Sequence, residues 1–489
     1  MTTVVTDRET FTDVAAAAPP DARVPVEVRV RVEDPFEAYR RARSGVGGVY
    51  LGTTGGQEGW GYFATEPVDI VSVDPDEGPA IPALTEAVGA ETLRRGDCTI
   101  PYPCGAIGWL SYDAVRDLET LPEHAVADRH LPRLQFGIYD RIAAWEEPRD
   151  GEVVLHITAC PRLDAHDSAT AAFAWGREHA LALARTAVDG EYGDETPPVD
   201  GSAARFESDC TAAEYADRVR RVKQYVRDGD TFQANISQRL HAPATVHPVA
   251  VFDALRRVNP APYSALIEFP GVDLVSASPE LLLERTDERV RTEPIAGTRP
   301  RGETEHADAE LEAELTADEK ERAEHAMLVD LERNDLGKVA RYGSVSVTDY
   351  RRVDRYSEVM HLVSNVEGRL RADATLGDAI AAVFPGGTIT GAPKPRTMEI
   401  IDELEGTRRG PYTGSIGIFG FDQRATMNIV IRTLVRYREE YHLRVGAGIV
   451  HDSVPAWEYE ETLDKARALI TAVDEALGQE ATMSVEAPK

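Results

Sequence analysis

Hydrophobic and polar residues alternate along the first part of the chain in a way that predicts β-strands. In "VPVEVRVRVE", residues 24–33, a valine occupies every second position and mostly charged residues lie between. This period of two favours a strand with one buried and one exposed face. After residue 205, helical patterns alternate with apolar runs such as "NIVIRTLV", residues 428–435, as in a mixed body of helices and strands.

A stretch of different composition separates these two parts of the chain. The segment "DGEYGDETPPVDGSAARFES", residues 189–208, is rich in glycine, proline and acidic residues, which is typical of a linker. We therefore predict an N-terminal domain over residues 1–200 and a second domain over residues 205–480.

Helical periodicity predicts a helix that opens the second domain. Thr211 and Glu214 have the spacing of a capping box, and the apolar residues that follow recur every three or four positions. Asp228 and Gly229 end the pattern. The predicted buried stripe consists of Tyr215, Val219, Val222 and Val226.

A second predicted helix carries a carboxylate on its apolar face. Thr316 and Glu319 form the predicted capping pair, and Glu324 shares a face with Leu328 and Leu331. A carboxylate in that position needs a partner to offset its desolvation. The alternative is that Glu324 lies at a partly exposed end of the stripe.

A third helix is predicted near the C-terminus, with Ser453 and Pro455 as its start signals. Its inward positions are Thr462, Ala466, Leu469 and Val473. Glu458 and Glu461 fall off that face, so periodicity alone leaves them as surface charges.

Composition limits the possible partners. The 489 residues include 84 acidic and 53 basic ones, for a net charge of −31, which argues against nucleic acid or an anionic membrane as the main partner. Only six basic residues are lysines, and abundant carboxylates with scarce lysine suit a surface that stays hydrated in concentrated salt. We expect a halophilic protein; an acidic protein from an arginine-rich genome is the alternative.

The cysteines and the N-terminus indicate a cytoplasmic protein. Cys98, Cys104, Cys160 and Cys210 have spacings that form neither a zinc signature nor a disulfide framework. The N-terminal residues include early acidic side chains and no apolar core segment, unlike a secretory signal. No window reaches the apolar length of a membrane span, so we expect no membrane partner.

Two segments of the second domain suggest a site for a carboxylate, and a third resembles a phosphate-binding loop without being one. In "FPGGTITGAPKPRTMEII", residues 384–401, Ala392 and Pro393 displace Lys394 from the position that a nucleotide-binding loop requires. Arg432 lies inside an apolar run, where a guanidinium needs an anion, and the glycines of "LRVGAGIV" suit close approach of a ligand. A structural ion pair between Arg432 and a glutamate is the alternative.

Seven motifs, in order, resemble those of the chorismate-utilising enzymes. This family includes anthranilate synthase component I, aminodeoxychorismate synthase component I, isochorismate synthase and salicylate synthase. The resemblance implies an α+β fold, with two antiparallel β-sheets packed face to face and surrounding helices. The motifs are "PIAGTRPRG" (294–302), "RAEHAMLVDLERNDLGKV" (322–339), "YSEVMHLVSNVEG" (356–368), "GGTITGAPKPRTMEIIDELEG" (386–406), "RRGPYTGSIG" (408–417), "IVIRTL" (429–434) and "GAGIVHDSVPAWEYEET" (446–462).

The resemblance also implies a chorismate site with an essential magnesium ion. Glu324 and Glu461 match the family's magnesium ligands, with Glu321 and Glu458 as carboxylates just outside them. His361 matches a catalytic histidine, and Glu280 matches the general acid that protonates the departing 4-hydroxyl. The residues implied to bind the substrate are Gly297, Thr298, Lys394, Tyr412, Arg432, Gly446, Ala447 and Gly448.

Two positions predict which nucleophile attacks the ring. Water-using relatives place a lysine base where this chain has Gln233, and an amide cannot deprotonate water, so ammonia is the expected attacker. Many aminodeoxychorismate synthases place a nucleophilic lysine where this chain has Ala296. We therefore expect amination at carbon 2 and loss of pyruvate to give anthranilate. Formation of 4-amino-4-deoxychorismate is the alternative, because "GGTITGAP", "YTGSIG" and "NIVIRTL" look closer to those enzymes.

The resemblance gives further expectations about partners and regulation. No cysteine lies in a nucleophile-elbow setting, so a separate glutamine amidotransferase subunit is expected to supply ammonia in a hetero-oligomer. The tryptophan-binding Leu-Leu-Glu-Ser motif is missing from "GGVYLGTTGGQ", residues 47–57, so tryptophan inhibition is not expected. A non-catalytic chorismate sensor should have lost Glu324, His361 or Glu461, and all three are present.

Overall fold

The computed structural model describes residues 2–54, 57–149, 151–356, 359–479 and 485–486. No helix in the described part of the chain is long and apolar enough to cross a membrane. The α-helices are α1 (Arg8–Ala16), α2 (Pro35–Ala42), α3 (Ala80–Gly89), α4 (Ala169–Asp189), α5 (Ala212–Asp228), α6 (Pro248–Val258), α7 (Glu305–Ala317), α8 (Glu319–Gly337), α9 (Leu376–Val383), α10 (Lys394–Leu404) and α11 (Pro455–Ala476).

Strands come from both halves of the chain. Those before residue 200 are β1 (Thr3–Val4), β2 (Ala22–Arg23), β3 (Val26–Val32), β4 (Gly48–Gly52), β5 (Gly59–Ala64), β6 (Asp69–Val73), β7 (Thr92–Leu93), β8 (Gly105–Leu110), β9 (Leu134–Tyr139), β10 (Arg141–Glu147) and β11 (Val153–Ala159). Those after it are β12 (Phe206–Ser208), β13 (Gln233–Pro243), β14 (Tyr263–Phe269), β15 (Val272–Ser278), β16 (Leu281–Thr286), β17 (Arg289–Thr292), β18 (Ile295–Pro300), β19 (Ser346–Arg355), β20 (Val359–Arg369), β21 (Gly391–Ala392), β22 (Ser415–Phe419), β23 (Ala425–Asn428), β24 (Thr433–Tyr437), β25 (Glu440–Ile449) and β26 (Val485–Glu486).

Two large sheets form the body of the protein. The larger runs β1-β3-β11-β10-β5-β4-β14-β15-β24-β25-β13-β12-β26, with β21 paired to β13. The smaller runs β18-β20-β17-β16-β23-β22-β8-β9-β6, with β19 paired to β20. Among the described strands of these two sheets, every neighbouring pair except β12 and β26 is antiparallel, and β2 pairs with β7 in a separate parallel ribbon.

The two sheets pack face to face. One buried cluster joins Val49 and Ile267 of the larger sheet to Trp109 and Ile416 of the smaller one. Helices α2, α4, α6 and α11 pack on the other face of the larger sheet, and α3, α8, α9 and α10 pack against the smaller sheet. This architecture confirms the predicted α+β fold class with antiparallel sheets and surrounding helices.

The two predicted chain segments build both sheets together. In the larger sheet β4 pairs with β14, and in the smaller sheet β8 pairs with β22. No helix or strand lies between the end of α4 and the start of β12, where the linker composition occurs. The compositional boundary near residue 200 therefore separates two stretches of sequence that share their hydrophobic cores.

Helix α5 has the predicted ends. Thr211 and Glu214 form a capping box, and Gly229 adopts a left-handed conformation with φ of 84° beyond the last turn. Helix α8 begins differently from the prediction: Asp318 is the N-cap and accepts from the backbone N–H groups of Lys320 and Glu321. The predicted Thr316–Glu319 capping pair is wrong because Thr316 lies in the last turn of α7.

Two other predictions of local structure need correction. The apolar run 428–435 is not one strand, because β23 ends at Asn428 and β24 begins at Thr433. Arg432 lies in the bend between them with φ of 49°, so its side chain is aimed differently from that of a strand residue. In α11, Pro455 takes the first helical position as predicted, while the Ser453 hydroxyl accepts from the Val450 N–H and does not cap the helix.

Candidate active site

Glycines in β25 make room for side chains from neighbouring elements. A Cβ at Gly446 would lie 2.6 Å from Asn235 Oδ1 and 2.7 Å from Tyr412 Oη, and a Cβ at Gly448 would lie 2.7 Å from Gln233 Nε2. These distances are too short for real contacts, so only glycine allows the three side chains to lie over this strand. The glycine-rich strand thus forms a floor lined by polar groups.

His361 lies in β20 beside the predicted substrate-binding turn. Its Nδ1 is 3.0 Å from Thr298 Oγ1 and 3.2 Å from the Gly297 carbonyl oxygen, while its buried Nε2 has no hydrogen-bond partner among the described residues. The side chain is 5% exposed, and burial together with Arg432 lowers the pKa of His361 to about 4. At neutral pH this imidazole is uncharged. Donation by Nδ1 to the carbonyl leaves Nε2 as a free acceptor.

Glu280 is a buried carboxyl group between β15 and β16 and is 5% exposed, so it is no strand-edge surface charge. The hydroxyl of Thr388 donates to its Oε1 at 2.7 Å. Burial raises the pKa of Glu280 to about 7, partly opposed by Thr388, Arg432 and Lys465. Because a general acid must hold a proton near neutral pH, this environment suits the role that the resemblance implies.

Arg432 brings a partly buried positive charge to the same region. Its guanidinium makes no hydrogen bond or ion pair that is found within the described part of the chain, and desolvation lowers the pKa of Arg432. It interacts electrostatically with Glu280, Tyr356 and His361, so these side chains surround it. A partly buried guanidinium without a carboxylate partner favours an anionic ligand over the structural ion pair considered from the sequence.

Electrostatic interactions link four glutamates of α8 and α11. Burial raises the pKa of Glu324, and the charges of Glu321 and Glu461 raise it further. The pKa of Glu458 is likewise raised by burial and by Glu461, while Lys320 opposes the shift at both Glu324 and Glu458. Carboxylates that repel one another in a partly buried place are stabilised by a cation. Glu324 and Glu461, on which the predicted metal site depends, are thus close enough to influence each other electrostatically.

These carboxylates are not arranged as a complete cage for a metal. No group of three or more His, Cys, Asp or Glu side chains close enough to hold a metal occurs among the described residues. Glu461 is half exposed and forms an ion pair with Lys465 at 2.7 Å. Mg²⁺ usually takes one or two protein carboxylates and completes its shell with water and substrate oxygens, so Glu324 and Glu461 fit such an ion.

The remaining predicted substrate-binding residues differ in whether their side chains can contact a ligand. The charged group of Lys394 is turned into the protein interior. Its Nζ donates to Asp335 Oδ2 at 2.5 Å and to the Val383 carbonyl at 3.1 Å. Its charge is thus neutralised inside the protein, contrary to the expectation that it faces the substrate carboxylate. The side chain of Ala447 packs in the cluster beneath α5, so only its backbone can face a ligand.

The predicted "PIAGT" turn connects the histidine with the carboxylates. Gly297 has φ of +73°, and a Cβ there would lie 3.1 Å from Glu321 Oε2. Thr298 is paired with His361 across β18 and β20. Gly297 and Thr298 therefore lie between the histidine and the start of α8, where the acidic residues begin.

Three residues that the sequence interpretation did not select belong to this region. Asn235 follows Gln233 by two positions on β13, so it shares the same face. Thr388 binds Glu280, and Lys465 donates to the Gly446 carbonyl at 2.9 Å while pairing with Glu461. The two-residue spacing could have identified Asn235 from the sequence. The other two contacts depend on how distant segments pack.

A separate cavity of about 480 Å³ lies between the two sheets. None of the predicted catalytic, substrate-binding or metal-binding residues lines it. Its walls include Leu51–Thr53, which belong to the segment 47–57 where the family's tryptophan motif was sought, and Pro262–Ser264. The protein therefore has space at that location although the motif itself is missing.

Comparisons with known proteins agree with this geometry. A family model described as "chorismate binding enzyme" matches residues 49–471. The chain is 71% identical over 486 residues to anthranilate synthase component 1 1 of Haloarcula marismortui, covering 99% of both chains. It is 46% identical to anthranilate synthase component 1 of Thermus thermophilus (80% of this chain, 82% of that one) and 44% identical to aminodeoxychorismate synthase component 1 of Bacillus subtilis (76% and 77%).

A solved structure supports the same relationship. The crystal structure of anthranilate synthase component I from Streptococcus pneumoniae superposes with a TM-score of 0.73 at 30% identity, covering 84% of this chain and 92% of that one. The family match spans most of the chain and includes strands of both sheets. The chain belongs to the chorismate-binding enzyme family.

Proposed function

We propose that this protein is the chorismate-converting subunit of an anthranilate synthase, which aminates chorismate with ammonia and eliminates pyruvate. The observation that carries the proposal is the grouping of three side chains: partly buried Arg432, which has no ion-pair partner among the described residues, the neutral imidazole of His361 and the high-pKa carboxyl of Glu280. These three groups offer an anion partner, a proton acceptor and a proton donor in one place. The similarity to anthranilate synthase components 1 at 71% and 65% identity favours this reaction.

Glu280 would act in the first chemical step. Ammonia forms a bond to carbon 2 of the ring, both ring double bonds shift by one position, the 4-hydroxyl departs, and the new ammonium group loses a proton to give the amine. Glu280 gives its proton to that hydroxyl, so that water leaves. A carboxyl group with a pKa near 7 holds the proton at neutral pH yet releases it to a strongly basic leaving group.

His361 would act in the second step. Removal of the proton from carbon 2 and departure of the enolpyruvyl oxygen from carbon 3 make the ring aromatic. The free Nε2 of His361 can accept that proton, because Nδ1 is held by the Gly297 carbonyl and the Thr298 hydroxyl. Arg432 and Tyr412 would hold the substrate carboxylates during both steps.

Glu324 and Glu461 would hold a magnesium ion, with Glu321 and Glu458 beside them. When bound, Mg²⁺ supplies positive charge for the ring carboxylate of chorismate. The lysine contact of Glu461 would have to open for this, since Lys465 neutralises that carboxylate in its absence. The mutual repulsion of the carboxylates supports the proposal, because it disappears when a cation lies between them.

The nucleophile and the position of attack follow from two uncharged side chains. Gln233, which is 2% exposed and lies above Gly448, cannot serve as a base for water. Ala296 presents only a methyl group next to Gly297, so no covalent nucleophile is available there. Both features favour direct attack by ammonia at carbon 2.

Aminodeoxychorismate synthesis is the second candidate function. It is supported by the 44% identity to aminodeoxychorismate synthase component 1 of Bacillus subtilis. In that case amination would occur at carbon 4 and the enolpyruvyl group would stay on the ring. Ala296 argues against the covalent route to that product.

The proposal also includes a partner subunit and a high working salt concentration. Relatives named component 1 support a second component, and we infer that a glutamine amidotransferase subunit supplies ammonia in a hetero-oligomer. The net charge of −31 and the few lysines support activity in concentrated salt. Thermal unfolding and turnover measured across a series of KCl concentrations test the second point, and maximal stability without salt would refute it.

The test of the main proposal uses purified protein with chorismate, Mg²⁺ and ammonium, and measures product fluorescence, product mass and pyruvate. We expect anthranilate and an equal amount of pyruvate. Formation of 4-amino-4-deoxychorismate without pyruvate would support the second candidate, and binding of chorismate without turnover would support a sensor. An Arg432→Gln variant should raise KM for chorismate by at least tenfold, since it removes a cation for which the described residues provide no ion-pair partner.

A further inference from the structure

Two side-chain amides lie unpaired in the candidate active site. Gln233 and Asn235 are 2% and 7% exposed, and neither side chain makes a hydrogen bond with the described part of the chain. Buried amides are normally hydrogen-bonded, because an unmade bond costs free energy. Two such groups on one strand face therefore indicate a ligand that is polar and small.

The backbone around Asn235 is held rigidly. Its N–H donates to the Thr390 carbonyl at 2.9 Å, and its carbonyl accepts from Arg409 Nη2 at 2.7 Å. Arg409 is itself fixed by Glu405, to which it donates through Nε at 3.0 Å and through Nη2 at 2.8 Å. The side-chain amide is thus presented from a fixed point, as a binding group should be.

Glycine allows this amide to lie directly over β25. Asn235 Oδ1 and Tyr412 Oη both come within 2.7 Å of the position that a Gly446 Cβ would take. Gln233 lies in the same way over Gly448, two residues along the strand. The two amides therefore lie over neighbouring positions of β25, the strand whose Gly446 carbonyl accepts from Lys465, the ion-pair partner of Glu461.

We propose that Asn235, together with Gln233, binds the attacking ammonia and orients it toward the ring. The inference rests on the proposed function, since it assigns a place to the nucleophile of that reaction. An amide carbonyl accepts an N–H of ammonia and leaves the nitrogen lone pair free. The carbonyl oxygens of Asn235 and Gln233 both lack a partner among the described residues, so they are the groups available to accept those N–H groups. The residues then fix the approach of the nucleophile without removing any proton.

The structure offers a pair of variants that isolates this contact. Asn235→Val removes the acceptor, and Asn235→Thr has nearly the same shape but keeps an oxygen. Both residues suit a strand position. Loss of one uncharged hydrogen bond should raise KM for ammonium about fivefold in Asn235→Val, which corresponds to about 1 kcal/mol. Asn235→Thr should recover most of that loss, and KM for chorismate should change less than twofold in both.

A control on the same strand separates binding from folding. Gln238 is buried on the opposite face of β13 and its amide is fully used, donating to Thr462 Oγ1 at 2.5 Å and accepting from Ser208 Oγ at 2.7 Å. Gln238→Leu should lower the melting temperature more than Asn235→Val does. It should leave KM for ammonium unchanged.

Steady-state kinetics with chorismate and ammonium as varied substrates decide between the outcomes. A selective rise of KM for ammonium in Asn235→Val, reversed in Asn235→Thr, supports the inference. An unchanged KM for ammonium, or a rise confined to KM for chorismate, overturns it while the proposed function stands. If the wild-type protein makes no aminated product, the proposed function fails, and the inference fails with it. If Asn235→Val does not fold, KM for ammonium is compared between Asn235→Thr and Asn235→Ala, which gives the same test.

Discussion

The charge state of Glu280 gives a prediction that the structure makes quantitative. Burial raises the pKa of this carboxyl to about 7 from an ordinary value of 4.5. At pH 7 about half of the protein then carries the proton, compared with about one molecule in 300 for an exposed glutamate. The same displacement corresponds to about 3 kcal/mol against the charged form.

The substitution Glu280→Gln keeps the shape of the side chain and removes the carboxyl proton. We expect kcat to fall about 10²- to 10⁴-fold, which is the usual contribution of a general acid. In the wild type, kcat/KM for chorismate should decline above about pH 7, provided that the concentration of unprotonated ammonia is held constant. The residual activity of Glu280→Gln should lack this decline. Thr388→Val should move it to higher pH, because the Thr388 hydroxyl donates to Glu280 Oε1 and favours its charged form.

Folding stability provides an independent measurement of the same pKa. The folded state holds a proton that the unfolded state loses above pH 4.5, so the stabilising effect of Glu280 is lost between about pH 4.5 and 7. Relative to the wild type, Glu280→Gln should therefore gain up to about 3 kcal/mol between those pH values, measured by chemical unfolding. Equal pH dependence of stability in both proteins, or wild-type turnover in Glu280→Gln, would refute the assignment.

Three further predictions concern the other parts of the site. Glu324→Gln should abolish Mg²⁺-dependent turnover and weaken Mg²⁺ binding in calorimetry while the protein stays folded, and full activity would contradict the metal role. Gly446→Ala should reduce kcat/KM at least tenfold, because its Cβ would lie 2.6 Å from Asn235 Oδ1; crystallography and kinetics would check this. Tryptophan at millimolar concentration should leave turnover unchanged, since Leu51–Thr53 bring no carboxylate to the cavity between the sheets, and competitive inhibition would show otherwise.

The sequence by itself determined the family and much of the local structure. The Thr211–Glu214 capping box, the Gly229 end of α5 and the alternation over Val26–Val32 are local, because each depends on residues within a few positions of one another. The ordered motifs of the second domain identified the fold class, since they cover hundreds of residues in a fixed order. The capping pattern gave a wrong prediction at Thr316, because α7 continues through the residue that was predicted to cap α8.

The tertiary structure decided which charges are available to a ligand. Arg432 and Lys394 were both predicted to meet substrate. The sequence gives no means to see that Asp335, 59 positions away, neutralises Lys394 while no described residue forms an ion pair with Arg432. The electrostatic interaction of Glu324 with Glu461 and the position of Asn235 over Gly446 likewise come from segments far apart in sequence. Burial and pairing arise only when the sheets and helices pack, and these two quantities set the chemistry of a buried side chain.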